Sequence, residues 1–271
     1  MKRVKFLLTS AITLMMVVSC VTATRVPITG RKQRLSVSDE QMLSLSATQY
    51  KEYLGSAKKS TNATNTAMVQ RVGQKLANAV TTYLSQNGYV NEVKNYAWEF
   101  NLVQSNSVNA FCMPGGKIVV YTGLMELISS DDELAVVLGH EVAHAVAKHA
   151  NERMSQQMLA AAGAQAVGFA TQDRSAMVQA AASGIYGLGA QVGALLPFSR
   201  KHEAEADYMG LALMTMAGYD PDSAPAFWRK MAAKGSGKSP EILSSHPSDA
   251  SRVAAIEKAL PEIKAKYAPR R

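Results

Sequence analysis

Along most of this chain apolar residues recur at spacings of three and four, and one central stretch switches to alternation. From Thr66 the positions Met68, Val72, Leu76, Ala79 and Tyr83, doubled by Val69, Val80 and Leu84, form the stripe of an amphipathic helix ending near Asn87-Gly88. Before it, Ser38-Asp39-Glu40-Gln41 has the form of a capping box and opens a helix to about Tyr53, with residues 55–65 as a loop. Trp98, Phe100 and Leu102 then alternate with Glu99, Asn101 and Val103 as a strand. Residues 117–122 form a second strand after the turn signal Pro114-Gly115-Gly116, with Asn109-Ala110-Phe111 between the two. The helical spacing returns at Ser130, runs through Leu134, Val137 and Leu138, and predicts one unbroken helix to about Met158. Further helices are expected over 199–218, from Asp220-Pro221 through Phe227 and Trp228, and around Arg252, Val253 and Ile256. Residues 235–239 read as a break, and the tail from Pro261 is expected to fray. This pattern predicts an α+β fold, mainly α, with a small sheet immediately before one long helix.

The two ends of the pattern add an address. Met1-Lys2-Arg3-Val4-Lys5 followed by an uncharged run to Ser19 reads as a secretory signal, too short to span a membrane comfortably. Val17-Val18-Ser19-Cys20 resembles a bacterial lipobox, which makes Cys20 a lipid anchor; a plain signal cut near Thr22 to Thr24 is the alternative. The expected organisation is a lipoprotein signal over 1–19, a lipid-anchored tether over 20–35 whose basic cluster Arg31-Lys32-Gln33-Arg34 is solvated, a single domain over 36–265, and a tail over 266–271. Within the domain, 36–90 supplies N-terminal helices and 97–260 the core. Without Cys20 only Cys112 remains, so no intramolecular disulfide is available and the fold rests on its core; Cys112 reads as a buried, inert thiol. The formal charge of +8 falls to +5 without Lys2, Arg3 and Lys5, and its basic residues are not interleaved with aromatics, which argues against a nucleic-acid partner. The alanine- and glycine-rich residues 160–196 read as two loosely packed helices, a mobile lid or membrane-facing flap.

The chemistry lies in the long helix. His140-Glu141-Val142-Ala143-His144 places two imidazoles four residues apart on one face, spaced to share a metal, with Glu141 beside them and free to serve a water as acid and base. His149 is nine residues from His140, about 180° around an unbroken helix, and is expected at the surface. A zinc site takes three protein ligands, and the all-histidine extension fails because Ala147 and Ala150 stand where Gly and His are needed. The third ligand must come from elsewhere. Glu203 and Asp207 share a face of the later helix, so one can bind metal while the other orients a ligand histidine, and Glu203 is the best candidate. Glu205 and His202 lie about 200° and 100° away from Glu203 and are less well placed.

These stretches, with N-A-F…P-G-G…Y-T-G-L before them and His246-Pro247…Arg252 after, resemble the gluzincin metallopeptidases, the family of HtpX, BepA, LoiP, mitochondrial Oma and the CAAX prenyl endopeptidase. The short LoiP-like lipoprotein type is the nearest in form. The resemblance implies a zincin-like metallopeptidase domain holding one Zn2+ per chain on His140, His144 and Glu203, with Glu141 catalytic and Asp207 behind the ligands. It implies that Asn109, Ala110 and Phe111 belong to a substrate-binding edge; from spacing alone that hairpin is equally a support. It also brings His246 to the zinc, either to stabilise the oxyanion or to occupy the open position at rest. The expected activity is zinc-dependent endopeptidase cleavage of unfolded or misassembled envelope proteins in quality control. The expected place is the outer membrane, facing the periplasm and held through Cys20. The alternative is a zinc-stabilised chaperone lipoprotein that binds such proteins with little cleavage. Nothing in the sequence assigns an oligomeric state.

Overall fold

The computed structural model describes residues 22–159, 199–234, 241–246 and 250–269. The signal, Cys20, the expected lid over 160–196 and the break at 235–239 lie outside the described residues. The α+β, mainly helical class is borne out. Two strands, β1 (Thr22–Arg25) and β2 (Lys32–Leu35), precede the helices α1 (Asp39–Ser56) and α2 (Ala63–Gln86). The sheet strands β3 (Glu99–Val103), β4 (Ala110–Met113) and β5 (Lys117–Tyr121) follow, then α3 (Asp131–Val146) and α4 (149–159). The long helices α5 (Arg200–Met216), α6 (Ser223–Lys234) and α7 (Ala250–Tyr267) follow, and a short helix, Glu241–Ser245, between the last two leads into His246. None of the described helices is long and apolar enough to cross a membrane.

Local chemistry accounts for most boundaries. Ser38 forms the full capping box with Gln41, and Ser130 and Ser199 each accept a backbone N–H three residues on, from Glu133 and His202. The helix expected from Thr66 begins at Ala63 because Asn62 caps it. In the sheet, ordered β3-β5-β4, β5 is central, parallel to β3 and antiparallel to β4, with Gly115 and Gly116 at positive φ in the β4–β5 turn. Ser60 donates to the carbonyl of Leu102 and Gln104 to that of Lys58, so residues 58–60 cover the outer edge of β3. β4 lies at the opposite edge, against α3.

Helix α3 is buried nearly all round, from Leu134 to His144, as a helix through the centre of a core must be. Its closest neighbour is α5. Gly139 and Gly210 face each other at the crossing: a Cβ on Gly139 would come 2.9 Å from the Gly210 carbonyl oxygen, and one on Gly210 would come 2.8 Å from the His140 nitrogen. The two backbones touch because neither residue carries a side chain, which brings His140 on one helix alongside Asp207 on the other.

Three expectations are corrected. Residues 22–35 are not a bare tether: β1 and β2 pair from Thr22↔Leu35 to Arg25↔Lys32, Val26 is fully buried, and Gln33 and Leu35 turn inward. Four-residue strands are too short to show a period, and their tight turn rests on positive φ at Ile28 and Gly30. The long helix breaks at Ala147-Lys148, where Lys148 takes φ 55° and its Nζ is held by Asp39 at 2.7 Å and Glu92 at 2.6 Å. The tail does not fray at Pro261; α7 continues to Tyr267 because Ile263 and Tyr267 are buried four residues apart on one face.

Candidate metal centre

His140, His144, Glu203 and His246 are all buried, and each offers one donor atom to a group spanning no more than 4.8 Å. Nε2 of His140 lies 3.1 Å from Nε2 of His144 and 3.2 Å from Nδ1 of His246. Glu203 Oε1 lies 3.1 Å from His246 Nδ1 and 3.4 Å from His144 Nε2, and its Oε2 lies 3.3 Å from His140 Nε2. Donors about 2.0–2.1 Å from a tetrahedral zinc stand about 3.3 Å from one another, so these separations fit a single zinc ion. Two ring nitrogens facing each other at 3.1 Å need positive charge between them, a shared proton or a metal. Glu203 Oε2 is buried with no hydrogen-bond partner among the described residues, as a metal-binding oxygen would be in the absence of its ion.

The charge balance agrees. Burial opposes ionisation of Glu203, but the imidazoles of His140, His144 and His246 outweigh it and hold the carboxyl well below its ordinary range. Burial and Arg252 pull His140 down, yet Asp207 and Glu203 win and hold it at about 9. Such a pocket attracts positive charge, which a metal cation supplies in place of the proton. Burial leaves His144 well below its ordinary value. Glu141 is 2 % exposed, its Oε1 has no hydrogen-bond partner among the described residues, and burial raises its pKa. The backbone of Cys112 on β4 works against that rise, and His246 Nε2 lies 3.4 Å from Oε1.

Behind His140, Nδ1 sits 2.9 Å from Asp207 Oδ1. Arg252 grips both Asp207 oxygens at 2.7 Å and stacks on Trp228, its guanidinium carbon 3.7 Å from the ring centre. Asp207 thus lies directly behind His140, supported by Arg252, which the sequence places in the His246-Pro247…Arg252 motif without a role, and by Trp228, which it presents as a packing residue. Asn109 sits just before β4, and Ala110 and Phe111 open it; Asn109 and Ala110 are buried, and the Phe111 ring packs on Tyr53 and Tyr121. Cys112 is half-buried, not fully enclosed as expected; desolvation, aided by Glu141, pushes its thiol up.

His149 departs from expectation. The break at Lys148 turns it inward: it is fully buried, its Nδ1 lies 2.9 Å from His144 Nδ1 and its Nε2 lies 3.0 Å from Glu205. Burial lowers its pKa to about 4, against the pull of Glu205, so the ring is neutral at pH 7. Arg31, expected in solvent, donates from Nε to Glu205 at 2.6 Å and from Nη1 and Nη2 to Glu152 at 3.0 and 2.7 Å. Burial opposes ionisation of Glu205, but His149, Thr29 and Arg31 hold its pKa at about 2. His202 stacks on His149 with ring centres 4.3 Å apart and reaches Glu152 at 3.2 Å.

Comparison with known proteins agrees with this geometry. The family model described as peptidase family M48 matches residues 63–260. Mitochondrial metalloendopeptidase OMA1 of Schizosaccharomyces pombe is 38% identical over 186 residues, covering 65% of this chain and 51% of that protein. Human mitochondrial metalloendopeptidase OMA1 is 31% identical over 249 residues, covering 87% of this chain and 45% of that protein. The beta-barrel assembly-enhancing protease of Escherichia coli is 30% identical over 191 residues, covering 65% and 38%. The chain therefore spans about half or less of the length of these relatives. With four buried metal donors on the elements that this match covers, the chain belongs to peptidase family M48.

Proposed function

We propose that this chain is a zinc-dependent endopeptidase that cleaves unfolded or misassembled proteins of a bacterial cell envelope. The observation that carries the reading is the convergence of His140, His144 and Glu203 beside a buried carboxylate, Glu141, that none of them needs as a ligand. Bound zinc supplies Lewis acidity, polarising the scissile carbonyl and bringing the pKa of water toward neutrality. Glu141 takes the proton from the attacking water and passes it to the leaving amine; its raised pKa suits it to both steps. An extended peptide adds to the edge at β4, along Asn109, Ala110 and Phe111, since residues 58–60 already cover the opposite edge; main-chain pairing then brings a scissile bond to Glu141. Asp207 orients His140 by accepting its Nδ1–H.

His246 stands in the fourth donor position, which supports a resting arrangement in which it withdraws for substrate to enter. His246→Ala then raises cleavage of an unfolded substrate such as casein, whereas a large fall assigns it to oxyanion stabilisation. The name of the Escherichia coli relative, an assembly-enhancing protease, supports an envelope role, and the lipobox supports anchoring through Cys20 to the outer membrane, facing the periplasm.

The deciding experiment is Glu141→Gln. The variant keeps one zinc per chain and loses casein cleavage by at least about 100-fold, the low end of what a general acid–base contributes. Unchanged cleavage sinks the mechanism, and a zinc-loaded wild type that binds casein without cutting it points to a chaperone.

A further inference from the structure

The proposed reaction makes no use of the polar chain that leads away from His144. Its first link is unusual in kind. His140 leans on a carboxylate, but His144 leans on another imidazole, with Nδ1 facing Nδ1 at 2.9 Å. Only one of those nitrogens can carry the shared proton, and the far end decides which. Glu205 is an acceptor, so His149 donates to it from Nε2 at 3.0 Å. A histidine that gives its Nε2 to a metal keeps its hydrogen on Nδ1, so across this pair His144 Nδ1 donates and His149 Nδ1 accepts.

Glu205 is held from the N-terminal hairpin. Thr29 Oγ1 donates to its Oε1 at 2.5 Å, and Arg31 Nε donates to its Oε2, the same oxygen that receives His149. Arg31 also grips Glu152, which fixes the guanidinium over the cluster. The short turn carrying Thr29 and Arg31 and the break at Lys148 that aims His149 inward therefore serve one arrangement. We propose that His149 is the positioning residue of His144 and that Glu205, clamped by Thr29 and Arg31, sets the proton pattern that turns the metal-binding nitrogen of His144 toward the ion. The inference rests on reading His140, His144 and Glu203 as metal donors.

The test measures zinc affinity by competition with a chromophoric chelator for the wild type, His149→Phe, His149→Asn and Arg31→Met. Phe keeps a buried ring without the acceptor, and Asn restores an acceptor oxygen near the position of Nδ1. Loss of such a partner weakens zinc binding about 10- to 100-fold in His149→Phe, and His149→Asn recovers most of it. Arg31→Met produces a smaller loss, and the Arg31→Met/His149→Phe double variant is no weaker than His149→Phe alone. Zinc bound as tightly by His149→Phe as by the wild type overturns the relay and leaves the metal site standing; a wild type that binds no zinc overturns the proposed function and the relay together. Should His149→Phe not fold, imidazole nitrogen-15 spectra of the zinc-loaded wild type decide. Protons on His149 Nε2 and His144 Nδ1 are expected, and a proton on His149 Nδ1 overturns the assignment.

Discussion

The two histidines of the metal helix are supported from behind in opposite ways. His140 leans on the Asp207 carboxylate, which Arg252 neutralises from α7, so full charges lie one hydrogen bond from the ring and hold its pKa at about 9. His144 leans on the neutral ring of His149, and the carboxylate–arginine pair, Glu205 and Arg31, lies one link further out. One side is therefore strongly basic and tied to the C-terminal helix; the other is depressed by burial and tied to the N-terminal hairpin. A metal held between them has one donor tuned by a direct charge and one by a relayed charge. Both ends of the described chain close on the same helix.

The largest expected effect attacks the direct side. Asp207→Ala strands the buried Arg252 and removes the partner of His140, which costs about 3–5 kcal/mol of stability. It also weakens zinc by about 100-fold, the upper end for loss of such a partner. Chemical denaturation and chelator competition read the two quantities, and a loss no greater than that of His149→Phe would erase the distinction between the sides. Gly210→Ala acts on both sides alike, because its methyl meets the His140 backbone at 2.8 Å and forces α3 and α5 apart. A destabilisation of about 1–3 kcal/mol is expected, with zinc affinity reduced, and a neutral result would show that the crossing can relax. The smallest effect belongs to an exposed pair. Arg71 holds Asp131 at 2.7 Å and lowers its pKa; that small contribution is present above the unfolded carboxylate's pKa and fades as pH falls through the folded value. Arg71→Ala should leave stability at pH 7 nearly unchanged, as for any exposed ion pair, and leave zinc binding unchanged.

What can be read from the sequence follows the same division. His140, Glu141 and His144 sit within one helical turn, where spacing alone puts side chains on a common face, and Glu203 and Asp207 repeat that signal on α5. Their meeting depends on a helix crossing that no local pattern encodes, although the order of the motifs points to it. Spacing misplaces His149 for a single reason: one lysine in the left-handed region reorients everything after it, and lysine carries no signal for that conformation. Composition misplaces Arg31 because its partner Glu205 is 174 positions away and its strand only four residues long. Arg252 lies inside a recognised motif, but its grip on Asp207 emerges only when α7 is packed beside α5.

The contact between Gly139 and Gly210 has a consequence for the choice of ion. Backbone against backbone leaves little freedom to slide, so the opening between the histidine pair on α3 and Glu203 on α5 has a set width. Of the four grouped donors, only His246 stands on neither helix, so a difference in ion radius is expected to be taken up there and not at the crossing.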